Sequence, residues 1–428
     1  MLRSAAMTAT LPRTRDRSRE HDIVLFGATG FTGALVAEHL ARHHGDTDVR
    51  IALAGRDRAK LERVRASLRD VHPKAGDWPI LVADANDEAA LSNVASRAEV
   101  VCTTVGPYAK YGEKLVAACV RHGTDYCDLT GEVQFIRRMI ERHHDEAVRT
   151  GARIVHCCGF DSIPSDLGTL MLQDAMRAQH GGHLDEVRFF AGESRGAPSG
   201  GTIASMLNIL DEVARDRSVL RIVGDPYALV PREARGRDGS DQRGVRFDRE
   251  LGMWTGPFVM AAINTRVVRR SNYLLDFAYG RDFRYSEAMS TGRGAKGAIF
   301  ASAMTAGLGA FVAAASVKPI RRVLENRVLP KPGEGPDREA RERGYFVVRL
   351  IGRGRAADGR EVTLRGRVEG KADPGYGETA KMLSEAALCL ALDGAQLDAP
   401  GGIRTPASTM GMRLVERLRR AGMVFRVE

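Results

Sequence analysis

Short apolar runs punctuate the first third of the chain, and most of them end at a glycine or a polar loop. Ile23–Phe26 stops at Gly27 and Val49–Ala54 stops at Gly55, while Ile80–Val82 ends near Asp84; Val100–Thr103, Asp125–Leu129 and Arg153–Cys157 follow. Runs this short and mainly apolar predict buried parallel strands. Helical spacing fills the intervals. Leu35, Val36, His39 and Leu40 share one side, and Lys60–Leu68, Ala89–Ala95, Glu113–Arg121 (stopping at Gly123) and Phe135–Thr150 continue the pattern. Alternating strands and helices with right-handed crossovers predict a doubly wound, Rossmann-type parallel sheet over residues 21–160.

After Phe160 the rhythm changes. Val187–Phe190, Arg266–Val268, Tyr345–Ile351 and Val362–Val368 predict strands of a mixed or antiparallel sheet, the last two as a hairpin across Gly352–Glu361. Lys331–Pro336 reads as a surface linker. Thr379–Leu392 and Met410–Leu418 predict helices. The expected organisation is α/β: a disordered tail over 1–20, a Rossmann domain over 21–160, an α+β substrate domain over 161–378, and C-terminal helices over 379–428 that return to the first domain.

Composition sharpens this picture. With 428 residues, 43% hydrophobic and 28% charged, the chain can bury cores in two or three domains and is not a disordered protein. The net charge of +10 suits a phosphorylated cofactor, acidic lipid or an acidic carrier protein, besides keeping the protein in solution. Neither zinc-finger spacing nor an RNA-binding signature accompanies it, which argues against nucleic acid as a partner. The six cysteines form no C-x-x-C pair and sit mostly in apolar runs, the usage of a reducing cytoplasm. The Arg-rich first 20 residues lack the apolar centre of a secretory signal. Residues 297–317, between Lys296 and Lys318, carry no charge. They are long enough to span a bilayer but are rich in Ala, Gly, Ser and Thr. They predict a buried or lipid-facing surface helix, leaving peripheral contact with the inner face of the cell membrane open.

Gly27-Ala-Thr-Gly-Phe-Thr-Gly33 follows a strand and opens a helix. In that context Gly27 permits the tight turn, Gly30 admits a diphosphate to the backbone, and Gly33 lets the helix pack on the strand. The helix amides then face the anion, so Gly27, Thr29, Gly30, Phe31, Thr32 and Gly33 are candidate cofactor contacts. An NAD site usually carries an acid at the end of the second strand; here Arg56 stands there, suited to grip a 2′-phosphate. The expectation is NADP(H), with Asp57 keeping NAD(H) open. Asp84 is placed to meet the adenine. Thr104, Gly106 and Pro107 are placed to pass the nicotinamide ribose, because ligands lie beyond the carboxyl ends of such strands.

The candidate catalytic residues are Tyr108 and Tyr111, with Lys110 beside them, and Asp161 and Ser162 after the sixth strand. Glu132 either orients substrate or caps the helix that follows it. Ser165 or Asp166 is a candidate N-cap. Ser199–Thr202 either offers backbone donors or starts a helix. The paired histidines 43, 44, 143 and 144 read as solvated, and no cluster has metal-ligand spacing.

Phe26–Gly33, Ala54-Gly-Arg56, Val105-Gly-Pro-Tyr108 with Tyr111-Gly112, Asp128-Leu-Thr-Gly-Glu132, Gly159–Asp166, Asp373-Pro-Gly-Tyr376 and Thr405-Pro406 together resemble the saccharopine dehydrogenase-like oxidoreductases. Within them the likeness is greatest to the mycobacterial trans-acting enoyl reductases of phthiocerol and phenolic glycolipid synthesis. The resemblance implies a Rossmann domain, an inserted mixed domain and a nicotinamide cofactor. It also implies reduction of a double bond in an acyl chain made by a polyketide synthase, free or on an acyl carrier protein. Two other readings stand beside this one. A saccharopine-type amino-acid dehydrogenase would need carboxylate clamps such as Arg266, Arg269 or Arg270. A non-enzymatic protein of the membrane surface would merely retain the cofactor fold.

Overall fold

The computed structural model describes residues 18–196, 199–327 and 335–428. Most of the expected 1–20 tail, and Lys331–Glu334 of the expected linker, lie outside them. Arg19, at the end of that tail, is anchored: its guanidinium donates to the carbonyls of Ala95, Ala98 and His122.

The first domain alternates as its sequence pattern predicts. It comprises β1 (His21–Phe26), α1 (Phe31–His44), β2 (Ile51–Gly55), α2 (Arg58–Arg69), β3 (Ile80–Val82), α3 (Glu88–Ser96), β4 (Ala98–Thr103), α4 (Tyr108–Tyr111), α5 (Glu113–His122), β5 (Asp125–Cys127), α6 (Val133–Thr150) and β6 (Arg153–Val155). The chain continues through α7 (Ile163–His180), β7 (His183–Arg195), α8 (Gly200–Arg215), α9 (Ser218–Gly224), β8 (Arg246–Asp248), β9 (Met253–Gly256), α10 (Ala261–Leu274) and β10 (Arg284–Gly292). Then come α11 (Gly294–Ser316), α12 (Lys318–Arg327), α13 (Arg338–Glu342), β11 (Tyr345–Arg355) and β12 (Glu361–Gly370). The C-terminal segment holds α14 (Gly377–Leu392), β13 (Gly402–Arg404), α15 (Pro406–Thr409), α16 (Gly411–Arg420) and β14 (Val424–Val427).

The first sheet is parallel throughout, in the order β13-β6-β5-β4-β1-β2-β3. Strands β1, β2 and β4 are buried along their whole length, as residues covered by helices on both faces must be. Strand order reverses between β1 and β4, which opens a crevice at their carboxyl ends. The second sheet is mixed, in the order β14-β12-β11-β7-β10-β9-β8, with β7 and β10 its only parallel neighbours. Its hairpin is tighter than the apolar runs suggest: β11 and β12 stay paired as far as Arg355 and Glu361. The C-terminal segment ties the two sheets together. Helix α14 lies along α1 and the first sheet, β13 pairs with β6, and β14 crosses to pair with β12.

Two expectations from the pattern are corrected. Arg266–Val268 is not a strand but the middle of α10. Its valines belong to a helical set, with Ile263 and Val267 buried one turn apart, and so short an apolar run does not by itself distinguish the two periods. Three of the four paired histidines are also less solvated than they read, while His43 is exposed. His44 lies 3.4 Å from Glu385, His143 is half-buried, and His144 Nδ1 accepts from the Ile403 amide at 3.2 Å. All six cysteines are free and buried.

Candidate active site

The glycine loop owes its shape to steric necessity. Gly27 sits at φ +93°, a region that side chains resist, and a Cβ there would lie 2.7 Å from Val105 Cγ2. Its amide donates to the Ala54 carbonyl at 2.8 Å, which fixes the turn to β2. At Gly33 the helix crosses the turn so closely that a Cβ would be 2.1 Å from the Gly27 oxygen. That oxygen is held by the Gly30 amide at 3.0 Å and the Thr104 hydroxyl at 3.2 Å. Gly30 caps α1 without a side-chain hydrogen bond, so the first-turn amides of Phe31, Thr32 and Gly33 are left for an anion.

Arg56 is exposed at the end of β2 and makes no ion pair with any described residue. Asp57 caps α2 by accepting from the Lys60 amide at 3.0 Å, so one of its oxygens is already committed to the helix. Asp84 holds its own turn, accepting from the Asn86 amide at 2.8 Å. Arg56 and Asp84 both line a hollow of about 730 Å³ between α2 and β3.

This hollow continues into a larger cavity of about 760 Å³. All eleven candidate cofactor residues line that cavity: Gly27, Thr29, Gly30, Phe31, Thr32 and Gly33 on the loop, then Arg56 and Asp84, then Thr104, Gly106 and Pro107. Tyr108, Tyr111 and Asp161 line it too; Ser162 and Lys110 do not. Ser162 starts α7, and its hydroxyl donates to Asn264 Oδ1 at 2.9 Å, binding α7 to α10. It, and not Ser165 or Asp166, occupies the N-cap position, without a side-chain cap bond.

The two tyrosines differ. Tyr108 is buried, its hydroxyl donating to the Thr103 carbonyl at 3.2 Å and accepting from the Leu129 amide at 3.3 Å. Burial, then the nearby Asp128 charge, pushes its pKa well up, so it stays a neutral strut between β4 and the loop after β5. Tyr111 is exposed at the cavity rim. Among the described residues Asp161 is the only acid lining the inner part of the cavity, and burial raises its pKa to about 7. A carboxyl in that state can hand over a proton near neutral pH.

Glu132 holds the N-cap position of α6, but its side chain caps a different helix, α4. Its Oε1 accepts from the Tyr108 amide at 2.8 Å and from the Ser205 hydroxyl at 2.8 Å, and Oε2 accepts from the Ala109 amide at 3.0 Å. Burial raises its pKa against these three bonds. One carboxylate therefore fixes the α4 loop and ties it to α8 of the second domain. Asp128 is a second hub. It accepts from the Tyr126 hydroxyl at 2.9 Å and from the Thr130 and Cys157 amides, and stands 2.7 Å from His156 Nδ1. It holds the ends of β5 and β6, with Cys157 at φ +65° between them.

The second domain supplies the roof. Ser199 caps α8 through the Thr202 amide at 3.0 Å, and the Gly200 amide donates to Tyr376 Oη at 2.9 Å. The Tyr376 ring meets Phe31 edge-on with centroids 4.8 Å apart, and Arg341 lies over the other ring of that pair, 5.4 Å from the Phe31 centroid. Met206, Ile209, Leu210, Val223, Val259 and Ile263 carry the cavity onward as an apolar limb. Ser205 and Tyr376 are site residues that the motif-by-motif reading left out. The Asp373–Tyr376 motif signalled Tyr376, whereas Ser205 lies in an ordinary helical stretch and gives no signal. Each of the basic trio of α10 has partners within the protein: Arg266 with Asp241, Arg269 with Asp238 at 2.9 Å, and Arg270 with the carbonyls of Leu229 and Ile403. No group of three or more metal-ligating side chains occurs among the described residues.

A Rossmann crevice with a glycine loop, an arginine at the end of β2 and a pocket beneath a mixed-sheet domain defines a nicotinamide-dependent oxidoreductase. Residues 23–155 match the saccharopine dehydrogenase NADP-binding domain family. Over 415 residues, 95% of this chain and 97% of the relative, the chain is 48% identical to a Mycobacterium tuberculosis protein named "Putative trans-acting enoyl reductase". It is 43% identical over 417 residues, covering 95% and 97%, to the trans-acting enoyl reductase of Mycobacterium ulcerans. Among solved structures, saccharopine dehydrogenase (L-Glu forming) of Saccharomyces cerevisiae aligns over 95% of this chain and 99% of its own, with a TM-score of 0.54 at 15% identity, a likeness of fold. The chain belongs to the saccharopine dehydrogenase-like oxidoreductases, among the trans-acting enoyl reductases, and its cofactor is NADP(H).

Proposed function

We propose that this protein reduces the carbon–carbon double bond of an α,β-unsaturated acyl thioester, an intermediate of polyketide or lipid synthesis. The observation that carries the reading is the make-up of the cavity: beyond the dinucleotide crevice its lining is mainly apolar with a few hydroxyls, Asp161 and Tyr111 among its proton-bearing groups, and among the described residues Arg56 is its only lining cation. A saccharopine-type substrate carries several carboxylates and needs cationic partners. The candidate clamps Arg266, Arg269 and Arg270 are spent on carboxylates and carbonyls of the protein itself.

The amides of Phe31, Thr32 and Gly33 would hold the diphosphate of NADPH and Arg56 its ribose phosphate, and the cofactor so held would supply hydride for the β-carbon. Negative charge then gathers on the thioester oxygen and must be met by a donor. In α8 the Gly200 and Thr202 amides are already bonded, and the Ile203 amide bonds to the Ser199 carbonyl. The Gly201 amide, at the cavity wall, is the first-turn N–H left to meet that oxygen. Protonated Asp161 delivers the proton to the α-carbon, with Tyr111 as a second donor at the rim. Tyr108 and Glu132 act as positioning residues that hold the α4 loop against α8.

The substrate in this reading arrives on an acyl carrier protein or polyketide synthase, whose acidic surface the basic enzyme attracts. The place of work is the cytoplasm, with peripheral contact at the inner face of the membrane. The test is direct: the protein is mixed with NADPH and a 2-enoyl thioester, cofactor oxidation is followed at 340 nm (a general property of reduced nicotinamides), and the saturated product is identified by mass. NADPH oxidation with glutamate plus an amino-acid semialdehyde, and none with free or carrier-bound enoyl thioesters, would overturn the proposal.

A further inference from the structure

Helix α11 has the length and composition to cross a membrane, yet one of its faces is fastened to the protein. Gly256 of β9 admits Met304 and Thr305 at close range, and Phe311 and Ala315 pack with Ile203, Leu207 and Leu210 of α8. Only Gly297, Ala301 and Ala315 are buried. The opposite face stands in the open and is apolar: Ile299 is 69% exposed and Phe300 59%. Val317, Ile320 and Val323 prolong it into α12 at 46%, 46% and 55%. A helix facing water normally carries charge on that side. This one carries none between Lys296 and Lys318.

Its hydroxyls are also withdrawn from solvent chemistry. Ser302, Thr305 and Ser316 each donate to the carbonyl four residues back, at 2.9, 2.7 and 2.7 Å. The outer face therefore presents no unmet donor, which is the condition that hydrocarbon imposes. The flanks are basic. Arg293 and Lys296 are exposed at the start of the helix and Arg322 beyond its end, and no acid occurs between Glu287 and Glu325. Finally, Val312 and Val259 are both exposed and both line the cavity, so the mouth of the apolar limb opens beside this face.

We propose that the outer face of α11 seats the protein on an anionic lipid layer, with the cavity mouth turned toward that layer. Ile299 and Phe300 enter the headgroup–acyl boundary while Arg293, Lys296 and Arg322 pair with acidic headgroups. An acyl chain can then pass between lipid and cavity without crossing water. The face itself stands independently of the enoyl reductase reading; only its use for substrate entry rests on that reading.

Flotation of the full-length protein with phosphatidylglycerol or phosphatidylcholine vesicles tests this. Binding to the anionic vesicles, weakened by salt, is the expected result. The double substitution Ile299→Glu/Phe300→Glu abolishes it, while NADPH binding and melting temperature stay as in the parent, since neither residue lines the cavity. Arg293→Gln/Lys296→Gln weakens binding about 25-fold, at roughly fivefold per charge. The proposal is overturned if the parent protein fails to float, or if the Ile299→Glu/Phe300→Glu variant floats as well. It is equally overturned if the parent is a dimer or carrier-protein complex that the variant dissolves, because the face then serves a protein. Loss of enoyl reduction with flotation intact would instead strike only the functional reading.

Discussion

At the scale of single residues, the site rests on a few atoms with no room to move. A methyl group at Gly33 would lie 2.1 Å from the Gly27 oxygen. Gly33→Ala therefore lowers NADPH affinity at least tenfold in a calorimetric titration, while circular dichroism stays unchanged. Arg56→Ala separates the two coenzymes. Loss of charge-assisted bonds, each worth about 1.5–3 kcal/mol, weakens NADPH about 10- to 100-fold and leaves NADH unaffected. Asp161 gives a pH signature. With its pKa raised to about 7, the protonated donor is lost as pH rises through 7, so turnover falls on the alkaline side. Asp161→Asn lowers kcat about 100- to 1000-fold and removes that limb of the profile. Stability follows the same group. Between the ordinary value of 3.8 and about 7 the folded chain keeps a proton that the unfolded chain releases, so stability falls as pH rises through this window. Asp166 and Glu287, also raised to about 7 by burial, add to the same slope, and Asp161→Asn removes only its own share.

At the scale of elements, two carboxylates do the joining. Glu132 accepts two amides of α4 and a hydroxyl of α8, so Glu132→Ala leaves buried donors unmet and costs about 2–3 kcal/mol in urea unfolding. It also raises KM more than it lowers kcat, since the loop and roof lose their common tie. Glu385 of α14 lies 3.5 Å from His39 and 3.4 Å from His44 of α1, and 3.5 Å from Arg417 of α16. Burial opposes its charge, but the two histidines prevail and hold its pKa at about 2. A depressed carboxylate stabilises above its unfolded value of 4.5, and the gain is lost as pH falls toward 2. Glu385→Gln therefore costs roughly 3 kcal/mol at pH 7, a deficit that closes between pH 4.5 and 2 in thermal melts. The same scale shows where pattern reading stops. Arg266, Arg269 and Arg270 look like a basic strand or a clamp. Only the fold brings Asp238, Asp241 and the Leu229 and Ile403 carbonyls against them.

At the scale of the whole molecule, the last thirty or so residues hold two sheets at once. Strand β13 extends the first sheet beside β6, and β14 closes the second beside β12. Truncation after Gly422 removes β14 and leaves β12 as an unprotected edge. The expected outcome is a lower melting temperature and concentration-dependent association in sizing chromatography, with NADPH affinity retained because the first sheet is intact. The crevice itself is a property of this scale. The Phe31–Tyr376 contact and the Glu132–Ser205 bond join segments far apart in the chain, and together they roof the dinucleotide site.

Periodicity of two kinds and the position of a few glycines determined the parallel sheet and the turn of the glycine loop, because these depend on local backbone geometry and on neighbours in sequence. Arg56 was legible for the same reason: its place at the end of β2 follows from the strand alone. The pairing of α10's arginines, the transfer of Glu132's cap from α6 to α4, and the burial that tunes Asp161 were decided only by tertiary structure. Each depends on a partner or a dielectric boundary brought in from a distant part of the chain, and the energy of a charge is set by those surroundings, not by its neighbours in sequence.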